Sequence, residues 1–212
     1  MYLKTNKKTQ RHHRSSVRLK GYDYSQEGAY FLTICTYNQQ MLLEKEDYHT
    51  ILQKTWDVLP HRYPQIHLDE FIIMPNHVHG IVWIDVGAIH ESPLQYDRQH
   101  KHRSLLSKIV GYFKMNCAKQ INLLRARPGI PFWQRSYYEH IIRSDQELNR
   151  IREYIQNNPL RWELDRENPD KTDTDEFDNW LYGNEKKKRK TDRVIVGAIH
   201  ESPLQEIKTG NT

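Results

Sequence analysis

Cysteine is nearly absent from the chain. Cys35 and Cys117 are the only two, too few for a disulfide framework or a four-cysteine zinc site. Long apolar runs are missing as well: none approaches the ~18 residues needed to span a bilayer, so no membrane partner is expected. The first 20 residues hold seven Lys/Arg and no acid, yet no apolar stretch follows to make a signal peptide. A cytoplasmic protein is the expectation. Apolar residues reach only 37% over 212 residues, which predicts one compact core segment with solvated ends.

Acids are missing from one long stretch. Between Arg98 and Tyr138 there are nine Lys/Arg and no Asp or Glu. The balance then inverts: Glu163 to Asp178 holds eight acids against Arg166 and Lys171, followed by the basic run Lys186–Lys190. With a net charge of +5, an anionic partner is favoured without being named. The 98–138 stretch also carries Leu105, Leu106, Ile109, Val110 and Phe113 at helical spacing, giving an apolar stripe beside a basic face. Such a helix suits a phosphate backbone, with Arg98, Lys101, Arg103, Lys108, Lys114 and Arg135 as candidate contacts. A plain solvated surface helix is the competing reading.

The decapeptide Val-Gly-Ala-Ile-His-Glu-Ser-Pro-Leu-Gln occurs at Val86–Gln95 and again, identically, at Val196–Gln205. Two isolated copies do not form a stacking array. Their Gly and Pro and their lack of a sustained period mark them as exposed insertions.

Along the chain, Tyr30–Tyr37 reads as a strand and Asp47 to about Leu59 as a helix. Ile66–Met74 and His77–Asp85 read as two strands joined by a turn at Pro75-Asn76. A helix near Arg103–Leu124 and a strand over Phe132–Arg143 follow. Ser144-Asp145-Gln146-Glu147 is a capping-box pattern that opens a last helix, and Pro159 closes it. The order β-α-β-β-α-β-α predicts an α+β fold, a ferredoxin-like antiparallel sheet with helices packed against it. The expected organisation is a basic arm over 1–21, a domain over 22–162 with a loop insertion at 86–102, and a charged, flexible tail over 163–212.

Two constellations can carry chemistry. On a strand, His77 and His79 point to one face and Val78 to the other, so the two imidazoles can converge on a single divalent ion. Zinc enzymes also use such pairs, and ordinary strand histidines share the spacing, so the pair does not fix the reaction. On a helix, Tyr154 and Asn158 share a face, beside the apolar stripe of Leu148, Ile151 and Ile155. The bland reading of Tyr154 is packing. The chemical one makes its phenol a nucleophile on phosphorus, helped by a nearby cation to which Asn158 could give a neutral oxygen.

Taken in order, Arg18–Tyr24, Met74-Pro75-Asn76-His77-Val78-His79, Phe132–His140 and Tyr154–Pro159 resemble the single-tyrosine HUH transposases. The likeness is greatest to the branch called REP-associated tyrosine transposases and covers about Arg18 to Trp162. The resemblance implies that His77 and His79 are metal ligands, with Asn158 added from its position, and that Tyr154 is the nucleophile. It implies cleavage and rejoining of single-stranded or hairpin DNA through a 5′-phosphotyrosine, with Mg²⁺ or Mn²⁺. A nucleoid-associated protein is expected, and the sequence leaves open whether it works as a monomer or a homodimer. Two departures stand out: Gln156 replaces a frequent His, and the decapeptide follows the histidine strand. The rivals are a metal nuclease that uses water as nucleophile and a DNA-hairpin-binding protein without catalysis.

Overall fold

The computed structural model describes residues 27–85 and 104–181. The arm 1–21, the insertion 86–102, both decapeptide copies and the basic run 186–190 lie outside the described residues, as do Arg98, Lys101 and Arg103.

Four strands form the framework: β1 Gly28–Cys35, β2 Ile66–Ile73, β3 His77–Ile84 and β4 Tyr138–Ile142. They lie in the order β2-β3-β1-β4, and every neighbouring pair is antiparallel. Since β1 and β2 both run antiparallel to β3, they are parallel to each other with β3 inserted between them. This is the expected α+β, ferredoxin-like sheet.

The period of two in β1 divides the core. Tyr30, Leu32 and Ile34 face one side and join Val78, Val82 and Ile84 of β3. On that side lie α1 (Glu46–Asp57) and α3 (Leu105–Leu124), through Leu52, Trp56, Ile109, Val110 and Phe113. Ala29, Phe31 and Ile81 face the other side, against α4 (Asp145–Asn157) through Leu148, Ile151 and Ile155. His77 and His79, in step with Ile81, belong to the α4 side.

Gly80 lies on the histidine strand where it meets α1. Trp56 stacks on Phe71 with ring centroids 4.5 Å apart and an angle of 15°. A Cβ at Gly80 would lie 2.6 Å from Cη2 of Trp56, so only glycine lets β3 lie flush against α1.

The expected elements were found with three differences. Pro60 opens a separate four-residue helix, α2 (Leu59–Arg62), because proline is tolerated only in a first helical turn. The strand expected over Phe132–Arg143 shrinks to Tyr138–Ile142. The Lys114 ammonium takes the carbonyls of Gln134, Arg135 and Ser136 at 2.6, 3.1 and 3.2 Å, and the regular ladder begins only after them. Phe132 and Trp133 turn into the α1/α3 core instead, and only the single bridge Thr36–Trp133 remains.

The third difference is the boundary after Trp162. Helix α4 ends at Asn157, but Asn158 keeps helical dihedrals (φ −56°, ψ −42°) despite the following Pro159, and a 3-10 turn, Asn158–Leu164, continues from it. The fold then runs on through Leu181 instead of passing into a tail at 163. Phe177 and Leu181 are buried on the α4 side, with Trp180 packed beside them. Several acids of this stretch are spent on local backbone: Asp165 accepts from the Glu167 amide at 2.7 Å, and Asp175 from that of Phe177 at 2.7 Å.

Candidate functional site

The register of β1 on β3 pairs Thr33 with His79 and Cys35 with His77. Directly opposed residues share a face, and Thr33 Oγ1 lies 3.0 Å from His79 Nδ1. The neighbouring ring is held in the same way: His77 Nδ1 lies 2.8 Å from Asn76 Oδ1. Asn76 is itself fixed, its amide donating to the carbonyls of Gln39 at 3.3 Å and Glu167 at 2.7 Å. Each imidazole therefore has its Nδ1 engaged by a side chain and its Nε2 left to the site. This outer support is the arrangement that orients metal-binding histidines.

The two Nε2 atoms face each other at 2.9 Å, with both rings fully or almost fully buried. Where Nδ1 of each ring carries the proton, two lone pairs meet, and only a shared cation or proton relieves them. Ligand bonds of about 2.1 Å set at a right angle separate two nitrogens by roughly 3.0 Å, so the gap suits neighbouring positions on one divalent ion. Asp165 Oδ2 lies 3.7 Å from His77 Nε2 and 3.9 Å from His79 Nε2. His77, His79 and Asp165 are the only His/Cys/Asp/Glu group among the described residues whose ligand atoms cluster this way.

The α4 side supplies the rest. Tyr154 leans over His79, its hydroxyl 3.4 Å from Nε2 and donating toward Asp165 Oδ2 at 3.4 Å. Its ring stacks on Phe177, with centroids 3.9 Å apart and an angle of 11°. Asn158, one helical turn after Tyr154, lies beside Asp165. It is buried, and its Oδ1 has no partner. A cation would engage this orphaned acceptor, so the donor set fits a divalent metal: two imidazoles, a carboxylate and an amide oxygen.

Burial pushes the His77 pKa down to about 3, and the adjoining His79 imidazole adds to the effect. For Asp165, burial alone would raise the pKa. Contact with His79, the charge of both imidazoles and the Asn158 amide more than offset it, holding the carboxyl below the usual range. At neutral pH the centre thus offers a neutral imidazole at position 77 beside an anionic carboxylate, the forms in which such groups bind metal.

Of the residues singled out in the sequence, His77, His79, Tyr154 and Asn158 are brought together. Lys108 is exposed, on the opposite side of the sheet. Arg135 is exposed at the sheet end that carries His77, since the neighbouring Gln134 amide donates to Cys35 O at 2.9 Å. Lys114 is committed to three carbonyls, and burial lowers its pKa to about 8, so it braces the approach to β4. Both cysteines are free and buried. Sequence reasoning missed Thr33, Asn76, Asp165 and Phe177. Asn76 was visible as a turn residue beside the histidines, whereas Asp165 was one acid among eight.

Both imidazoles thus lie on β3, a middle strand of an antiparallel ferredoxin-like sheet, and α4 carries Tyr154 across them. The chain belongs to the same family as an uncharacterized protein of Haemophilus influenzae, 38% identical over 167 residues that span 73% of this chain and 93% of that protein. Its fold is similar to that of a solved REP-associated tyrosine transposase bound to a REP hairpin. The TM-score is 0.50 and the identity 18%, over 70% of this chain and 74% of that one. No family model matches the chain.

Proposed function

We propose that this protein cleaves and rejoins single-stranded DNA, using Tyr154 as nucleophile and a divalent metal, Mg²⁺ or Mn²⁺, held by His77, His79 and Asp165 with Asn158 beside them. The observation that carries the reading is the Tyr154 hydroxyl, 3.4 Å from both His79 Nε2 and Asp165 Oδ2 in one buried centre. A phenol with an ordinary pKa near 10 needs such surroundings to act near neutrality.

In this reading the Tyr154 oxygen attacks the scissile phosphorus while its proton passes toward Asp165. The bond from phosphorus to the 3′ oxygen breaks, and that oxygen takes a proton from solvent and leaves as a free 3′-hydroxyl. The 5′-phosphotyrosine keeps the phosphodiester bond energy, so attack by a 3′-hydroxyl rejoins the strand without a nucleotide cofactor. Thr33 and Asn76 keep the two Nε2 atoms aimed inward throughout. A bound divalent ion would supply charge neutralisation at the phosphate and favour the phenolate.

Hairpin-forming repetitive DNA is the proposed substrate, by analogy with the hairpin held by the similar transposase. The basic arm 1–21, Arg98, Lys101, Arg103 and Arg135 are assigned to its backbone. No helix among the described residues is long and apolar enough to cross a membrane. We assign the protein to the nucleoid.

The test incubates the full chain with labelled single-stranded hairpins from the flanks of its own gene, in Mn²⁺ or Mg²⁺. A covalent adduct that resists denaturant and disappears in Tyr154→Phe supports the reading. Strand cleavage that survives Tyr154→Phe without any adduct would instead indicate water as nucleophile. Binding with no cleavage under any metal condition would indicate a hairpin-binding protein.

A further inference from the structure

Leu160 is 88% exposed, more than any other large apolar side chain among the described residues. A lone exposed leucine is ordinary on a protein surface; the surroundings of this one are not. Two residues earlier, Asn158 is buried against Asp165. Two residues later, the indole of Trp162 lies 6.1 Å from the His77 ring at an angle of 30°, and is only partly covered. Leu160 therefore projects from the short turn that connects two flanks of the histidine centre. Met115, Leu123 and Leu124, also strongly exposed, belong to α3 across the sheet.

The turn is built to hold its shape. Pro159 fixes the backbone immediately before Leu160. The Trp162 carbonyl accepts from the Asp165 amide at 3.1 Å and from Asn168 Nδ2 at 2.9 Å. Arg161 and Arg166 present half-exposed guanidinium groups before and after Trp162 in the chain, Arg161 paired with Asp175 at 3.0 Å and Arg166 with Glu167 at 3.8 Å. An apolar tip, an aromatic ring and two cations are thus fixed at the edge of a centre whose working groups are buried.

A phosphate can enter such a centre only if the bases on either side of it part. Parting stacked bases costs free energy, and proteins offset that cost with an apolar wedge between them or an aromatic platform beneath one. We propose that the turn Asn158–Leu164 is a nucleobase-binding element: Leu160 inserts between the two bases flanking the phosphate presented to Tyr154. One of these bases rests on Trp162, while Arg161 and Arg166 hold the adjoining phosphates. The element rests on the DNA-strand reading given above and specifies how the strand is held.

The test uses the intact chain and hairpin oligonucleotides whose single-stranded extension carries 2-aminopurine, a base that brightens on unstacking, at each position in turn. Binding by Tyr154→Phe, which traps the uncleaved complex, should brighten two adjacent positions. Leu160→Ala should remove most of that rise. Leu160→Met should restore it, and Leu124→Ala should leave it unchanged. With Tyr154 present, Leu160→Ala should lower kcat more than it raises KM. An 88% exposed side chain carries little of the fold, and matching circular dichroism melts will confirm this. Brightening that survives both Leu160→Ala and Leu160→Asp overturns the element even if the covalent adduct forms. Leu160-dependent brightening without any adduct sinks Tyr154 strand transfer and leaves the element standing. Absence of hairpin binding overturns both.

Discussion

The Tyr154 hydroxyl lies 3.4 Å from Nε2 of His79, although 75 residues separate the two along the chain. The contact is long for a hydrogen bond, so removing the oxygen should cost little of the fold. For Tyr154→Phe we expect a loss of at most about 0.5–1.5 kcal/mol, a few degrees in Tm, because the stack on Phe177 remains. The covalent protein–DNA adduct should vanish completely. An adduct formed by the phenylalanine chain, seen on a denaturing gel, would remove Tyr154 from its assigned role.

Metal binding can be read without DNA. A ligand that binds only the folded chain stabilises it by mass action, about 2.7 kcal/mol at a hundredfold excess over its Kd. For a chain of this size that corresponds to a rise in Tm of roughly 5–10 °C. We expect saturating Mn²⁺ or Mg²⁺ to raise the Tm of the unaltered protein, and His77→Ala or His79→Ala to abolish the rise. Equal shifts in all three proteins, measured by calorimetry, would place the ion elsewhere.

Asp178 works against the fold. It is buried, both carboxylate oxygens lack partners, and burial with the nearby charges of Asp165 and Asp175 raises its pKa from 3.8 to about 6. A carboxyl raised on folding holds its proton more tightly in the folded chain. Its favourable contribution is therefore present below 3.8 and is lost as pH rises through about 6. Asp178→Asn should stabilise the protein at pH 7 by about 1–3 kcal/mol and change little at pH 4. A gain of equal size at both pH values in denaturant titrations would contradict this assignment.

Gly80 permits the close approach of β3 to α1. A methyl group there would meet Trp56 at 2.6 Å and Phe71 at 3.2 Å. Gly80→Ala should cost about 1–3 kcal/mol through overpacking. It should also disturb His79, the adjacent residue on the strand. Adding Trp56→Phe opens space and should recover part of the loss; strictly additive losses in the double variant would show that the two residues are not coupled.

Local pattern made much of this molecule readable. The alternation through His77-Val78-His79 placed both imidazoles on one face. Ser144 caps α4 as its motif requires, accepting from the Glu147 amide at 3.2 Å. The Glu147 carboxylate departs by one residue and takes the Arg143 amide at 2.6 Å. What stayed hidden depends on partners far away in sequence. Thr33 gains its role only from the register of β1 on β3, which no window along β1 reveals. Asp165 looked like one of many tail acids because its chemistry comes from the imidazoles it faces. Phe177, Trp180 and Leu181 stand at i, i+3 and i+4, but this short apolar period is set among acids, and its burial comes from the Tyr154 ring and the α4 cluster far away in sequence.

Thr33, Asn76, His77 and His79 all lie before the insertion at 86–102; Tyr154, Asn158, Asp165 and Phe177 all lie after it. Neither half of the chain contains a complete centre, and one molecule closes the centre by folding its own halves together. Cutting the chain between 86 and 102 would part the imidazoles from the phenol and the carboxylate, so the two pieces would have to find each other before any centre could form.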